Sequence, residues 1–172
     1  MIHKIDDKVP DTQNAAFIAW NAEVAGDAVL GKNSSVWFGA VIRADINSIS
    51  VGDETNIQDN ATLHVNSDAP CIIGSRVTVG HNAVVHGATV LDECIIGIGA
   101  IVLNKALIGS QSIVGAGALV TERKEFPPRS LIMGSPAKLI RTLTGEEIEG
   151  IRDSAARYVQ QAKEAIAAYS EI

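Results

Sequence analysis

From Leu30 onward an aliphatic residue recurs at about every sixth position, often with glycine after it. The series runs Leu30-Gly31, Val36, Ile42, Val51-Gly52, Ile57, Leu63, Ile73-Gly74, Val79-Gly80, Val85, Val90, Ile96-Gly97, Val102, Ile108-Gly109, Val114-Gly115 and Val120. Two places before each stands a residue that is small in nearly every case, from Ala28, Ser34 and Ala40 through Ala61, Cys71 and Ala83 to Ser112 and Ala118, with Ile49 the exception. One large and one small inward residue per hexad describe a narrow prism filled by side chains. Neither a period of 2 nor one of 3.6 accounts for the pattern. Three hexads make one triangular coil of about 18 residues, and successive coils stack like parallel strands ~4.8 Å apart. The pattern predicts an all-β solenoid, a parallel β-helix.

The phase extends backward through Ile18 and Val24, with Ala16 and Ala22 in the small positions, so the first coil is expected near residue 12. Residues 1–11 read as an irregular or single-strand lead-in. After Val120 the stretch 121–128, charged and then fixed by Pro127 and Pro128, is expected to leave the prism. Beyond it Thr144 and Glu147 form a capping box, and Ile148, Ile151, Ala155, Tyr158, Ala162, Ile166 and Tyr169 recur at helical spacing. This predicts a C-terminal helix that covers one face or the open end of the prism. The expected organisation is a β-helix over residues 1–138 and a linker plus helix over 139–172.

Three steps depart from six. Ile42 to Val51 and Leu63 to Ile73 are long, which predicts short loops over residues 44–48 and 66–70; Val85 to Val90 is short by one. Each irregularity adjoins polar residues, and local rule-breaking is where function is expected.

Composition narrows the setting. The chain of 172 residues is 47% hydrophobic with a net charge of −6, which suits one soluble domain and disfavours nucleic acid or an anionic membrane as partner. Charged residues among the first seven replace the apolar run of a signal peptide, and no stretch approaches the ~20 apolar residues of a membrane span. A cytoplasmic setting is therefore expected. Cys71 and Cys94 fall in the small inward column and read as core fillers, while Trp20 and Trp37 read as packing or interface residues.

The repeat also serves as a ruler for chemistry. Arg43 follows Ile42, His64 follows Leu63 and His86 follows Val85, so all three project outward in one column on consecutive coils. Imidazoles one coil apart can converge on a metal with nitrogen–metal bonds of ~2.0–2.1 Å. His81 lies two places after Val79, on the neighbouring face, and points away. It can complete such a site only from another copy of the chain, which a three-fold arrangement of prisms would allow. Asp59 holds the position of His81 one coil below and could orient it.

The runs Arg43-Ala-Asp45, Asn56-Ile-Gln58-Asp59-Asn60-Ala-Thr-Leu-His64 and Gly80-His81-Asn-Ala-Val-Val-His86-Gly87 resemble the gamma-class carbonic anhydrases, and residues 12–138 resemble the hexapeptide-repeat proteins at large. The resemblance implies a left-handed β-helix and a homotrimer with three interface metal sites, each taking His64 and His86 from one subunit and His81 from the next. Gln58 would hydrogen-bond the water or bicarbonate on the metal, and Arg43 and Asp45 would pair across the interface. A divalent metal on three neutral imidazoles lowers the pKa of its water to about 7 and supplies hydroxide to carbon dioxide. Zinc is the first choice, and iron(II) or cobalt also suit three imidazoles. Tyr158 on the helix is a further candidate near the site.

One departure bears on turnover. Gamma enzymes carry glutamates that move protons away from the metal. Here Ile46 follows Asp45, and the loop after His64 reads Val65-Asn66-Ser67-Asp68, leaving Asp68 as the available carboxylate. Two other classes remain open. A hexapeptide-repeat acyltransferase would use one histidine as general base and bind acyl-coenzyme A between prisms, with a thioesterase as a variant. A non-catalytic scaffold would keep a metal for interface stability.

Overall fold

The computed structural model describes residues 1–169. The chain forms a left-handed parallel β-solenoid of about seven turns, with the 24-residue helix Gly145–Ala168 laid along it. The three walls of the prism follow from pairing. One wall, the histidine face, stacks the first part of Val41–Val51, then Thr62–His64, Val84–His86, Ile101–Val102 and Leu119–Val120. A second stacks the rest of Val41–Val51 with Cys71–Ile73, Thr89–Val90, Leu107–Ile108 and Glu125–Phe126. The third, the helix face, runs from Phe17–Ile18 through Asn56–Ile57, Thr78–Val79 and Ile95–Ile96 to Ser130–Gly134, where the antiparallel strand Ala137–Thr142 closes it.

Each large residue of the hexad from Val24 to Ile132 lies within the core. Val24, Leu30, Ile42, Ile57, Leu63, Val85, Ile96 and Ile132 are wholly buried, as are the small residues Ala22, Ala40, Ala61 and Ala83. Fully burying an aliphatic side chain contributes roughly 1.5–3 kcal/mol, so the column of hexads is the main source of stability. Cys71 and Cys94 are free and sit in this column, where burial pushes both thiols up to about 12. At one corner the backbone of each coil lies against the glycine below it: a Cβ on Gly52 would stand 2.5 Å from the carbonyl carbon of Gly74.

Of the expectations for the solenoid, two hold and one is corrected. Residues 45–48 bulge at the corner as their spacing predicts, because Val41–Val51 pairs with Glu23–Leu30 only on either side of them, with Ala44 opposite Gly26 and Ile49 opposite Ala28, and residues 66–69 form a tight turn. The repeat does not end at Val120. Phe126 and Ile132 hold the next two core positions, the latter on a strand paired with Ile113–Val114. Lys124 in the small position and the two prolines hid that continuation. Residues 1–11 contribute the short strand Ile2–His3, paired with Val24 and Ala25.

The helix covers the helix face. Its capping box is formed, with the Thr144 side chain accepting from the Glu147 amide and the Glu147 carboxylate accepting from the Thr144 amide. Ile148 and Ile151 pack with Leu143 against Ile95, Ile113 and Leu131. The buried stripe continues through Ala155 and Ala162 to Ala165; Ile166 is 67% exposed and lies off the face expected for it. Arg152 anchors the helix by donating twice to Glu93, whose carboxylate also accepts from Arg76 and Gln111.

Candidate metal centre

The strand register places Arg43, His64 and His86 side by side on consecutive coils, because Arg43 pairs with His64 and His64 with His86. Each follows a buried aliphatic residue, so alternation turns its side chain outward. Nδ1 of His64 lies 3.0 Å from Nε2 of His86. Behind His64, its Nε2 lies 3.0 Å from Asp45 Oδ1. Behind His86, its Nδ1 lies 2.6 Å from Asn104 Oδ1.

The state of Asp45 decides the proton on His64. Burial would raise this carboxyl, but the hydrogen bond from His64, bonds from its own and the Ile46 amides, and the charge of Arg43 outweigh it and hold Asp45 below the usual carboxylate range. An ionised carboxylate only accepts, so Nε2 of His64 carries the proton and Nδ1 presents a lone pair. By the same logic Nδ1 of His86 donates to the amide oxygen of Asn104, and Nε2 presents a lone pair. Two lone pairs therefore face each other at 3.0 Å, an arrangement that a shared cation relieves. Two nitrogens on one tetrahedral divalent metal stand about 3.3–3.4 Å apart, given bonds of ~2.0–2.1 Å. The residues fit such an ion.

The expected third histidine lies elsewhere on the chain. His81 sits in the turn between the helix face and the histidine face, rather than on a flat wall as its spacing suggested. Its Nδ1 lies 2.9 Å from Asp59 Oδ2, with the ring 39% exposed at the corner. Among the described residues no three metal-ligating side chains of one chain converge. The chain thus carries two separate groups, the His64–His86 pair on a face and His81 with Asp59 on an edge.

The remaining candidates divide between these groups. Arg43 pairs with Asp45 within the chain. Lys8 reaches the Asp45 carbonyl at 3.1 Å, closing the lead-in over the site. Gln58 is buried beside the edge group and donates through Nε2 to Asn56 Oδ1 at 3.1 Å, which leaves its own amide oxygen available. Tyr158 is half-buried on the helix against Trp37, with its hydroxyl pushed up by burial and then by the nearby charge of Asp59. It belongs with the edge group. Asp68, the substitute proton carrier, is bound to Lys105, which holds its carboxyl below the usual range. Asn104 was absent from the sequence reading. Its signal was the five-residue step from Val85 to Val90, which pulls the next coil into reach of His86.

The chain is similar to a carbonic anhydrase from Geobacillus kaustophilus, 40% identical over 161 residues that cover 94% of this chain and 88% of that protein. It is 44% identical over 158 residues to gamma carbonic anhydrase 1, mitochondrial, of Arabidopsis thaliana. It belongs to the gamma carbonic anhydrase family. That match covers 88% of this chain and spans 58% of the Arabidopsis relative's length. A Bacillus cereus crystal structure, provisionally described as an acetyltransferase, superposes with a TM-score of 0.94 at 35% identity, covering 98% of each chain. No family model matches the chain. Among the described residues no helix is long and apolar enough to cross a membrane.

Proposed function

We propose that the protein interconverts carbon dioxide and bicarbonate at a divalent-metal site between copies of the chain, arranged as a homotrimer. His64 and His86 of one protomer and the partner's His81 would hold the metal. The observation that carries this reading is the pair of imidazole nitrogens facing each other at 3.0 Å, each ring held at its other nitrogen by an acceptor oxygen. A divalent cation there would acidify a water molecule toward neutral pH and so make hydroxide available to carbon dioxide.

The chain's own residues do the rest. Asp45 and Asn104 orient the two rings and fix which nitrogen faces inward, and Asp59 does the same for His81. Gln58 offers its amide oxygen to a water, and Arg43 supplies a permanent cation beside the anionic product. Zinc is the first choice of metal, with iron(II) and cobalt suited to the same donors. The arrangement between copies is supported by apolar residues that the chain leaves uncovered. On the histidine face Ile101 is 38% exposed, and Ile98 at the His81 corner is 57% exposed.

Hydration also releases a proton. With Asp68 tied to Lys105, the chain's candidate proton carrier is engaged, so turnover would depend on buffer. His86→Ala should abolish metal uptake while the β-helix stays folded by circular dichroism; full occupancy in that variant contradicts the assignment.

An acyltransferase is the second reading, favoured by the description of the Bacillus cereus structure. Saturable acetyl-coenzyme A binding by metal-free protein would support it.

A further inference from the structure

The five-residue step at Val85–Val90 and the orientation of Asn104 form one device. Gly87 has φ +55, and a Cβ there would stand 2.6 Å from Asn104 Oδ1. Only a residue without a side chain leaves room for the amide to lie beside His86. The backbone reinforces this placement, since Gly87 N–H donates to the His64 carbonyl at 2.9 Å and Lys105 N–H donates to the Gly87 carbonyl at 2.6 Å.

An amide side chain can present either its oxygen or its nitrogen, and the difference decides the tautomer of its partner. Asn104 is constrained by a neighbour one coil further on: its Nδ2 donates to Glu122 Oε1 at 3.3 Å. A carboxylate accepts and never donates when ionised, so the NH2 group turns to Glu122 and the oxygen turns to His86. The proton of His86 must then sit on Nδ1, and Nε2 is kept as a lone pair toward His64.

We propose that Asn104 is a positioning residue, aimed by Glu122 and admitted by Gly87, that selects the His86 tautomer able to take a metal through Nε2. This rests on the metal reading above for its purpose, though not for its geometry. Free imidazole favours the opposite tautomer, with the proton on Nε2, which would block ligation. Asn104 reverses that preference before any metal arrives.

The test compares wild type with Asn104→Leu, which removes the acceptor at similar volume, and Asn104→Asp, which keeps it. Nitrogen-15 NMR of the metal-free protein at a fixed pH near 8 reads the tautomer of His86 directly, and competition with a chelator reads zinc affinity. The expected result is a proton on Nδ1 in wild type and Asn104→Asp, and a shift toward Nε2 in Asn104→Leu with zinc affinity lower by about 10–100-fold. Exposed Glu122→Lys, which offers a donor in place of the acceptor, should move the tautomer the same way without disturbing the core. An unchanged tautomer in both Asn104→Leu and Glu122→Lys overturns the proposal. Wild-type protein that takes up no zinc contradicts the metal reading instead, and the tautomer comparison still decides the role of Asn104.

Discussion

His64 Nδ1 and His86 Nε2 stand 3.0 Å apart, and each ring is held at its opposite nitrogen by a different acceptor, Asp45 in one case and Asn104 in the other. Neighbouring acceptors repel, and under the proposed function a shared cation would relieve that repulsion. The hexad accounts for the placement, because it sets both histidines outward in the same column on successive coils.

Asp45 keeps the proton of His64 on Nε2. Asp45→Asn loses the charge that enforces this, and zinc affinity should fall about 10–100-fold while the thermal midpoint changes little. Chelator competition measures the first and differential scanning calorimetry the second. Unchanged zinc affinity would show that Asp45 serves only its ion pair with Arg43.

Ile98 lies at the same corner as His81 on the next coil, where the Gly99 amide donates to the His81 carbonyl and the Gly117 amide to that of Ile98. If His81 reaches a partner protomer, this exposed side chain must be covered with it. Ile98→Asp should convert trimer to monomer in sedimentation at micromolar concentration and reduce bound metal in parallel. A stable trimer from that variant would place the interface elsewhere.

Much of this was legible in the sequence. The prism, the histidine column, the capping box and the displacement of His81 all follow from counting by sixes and threes. What escaped depends on contacts between coils. Asn104 reaches His86 only because the chain tightens at Gly87, and no spacing within one coil shows that. Phe126 and Ile132 were overlooked because Lys124 breaks the small column. The helix stripe shifted from Ile166 to Ala165, which is buried while Ile166 is exposed.

Acid should loosen the helix from the prism. Glu93 is 9% exposed and accepts from Arg152, Gln111 and Arg76, which hold its carboxyl down to about 2 from 4.5. A depressed folded value means its contribution is complete above about pH 4.5 and is lost as pH falls through 2. The full effect is on the order of 2–3 kcal/mol. Thermal midpoints of wild type should therefore drop steeply between pH 4.5 and 2, and Glu93→Gln should flatten that limb while being less stable at pH 7. Parallel acid limbs would contradict the anchoring role.

The glycine corner sets the coil spacing. Gly52→Ala puts a Cβ against the backbone of Gly74 and the neighbouring Ser75 amide, so it should cost about 3 kcal/mol, measured by urea denaturation. An effect below ~0.5 kcal/mol would mean that the coils separate more easily than their packing indicates.

The most direct measurement is metal content per chain of protein purified without oxygen, taken together with carbon dioxide hydration by the same sample. The account predicts about one divalent metal per chain, hydration that disappears on chelation, and a rate that rises with buffer concentration because Asp68 is tied to Lys105. Protein with no metal after anaerobic purification and zinc or iron(II) supplementation, and with no hydration above the buffer rate, would contradict it.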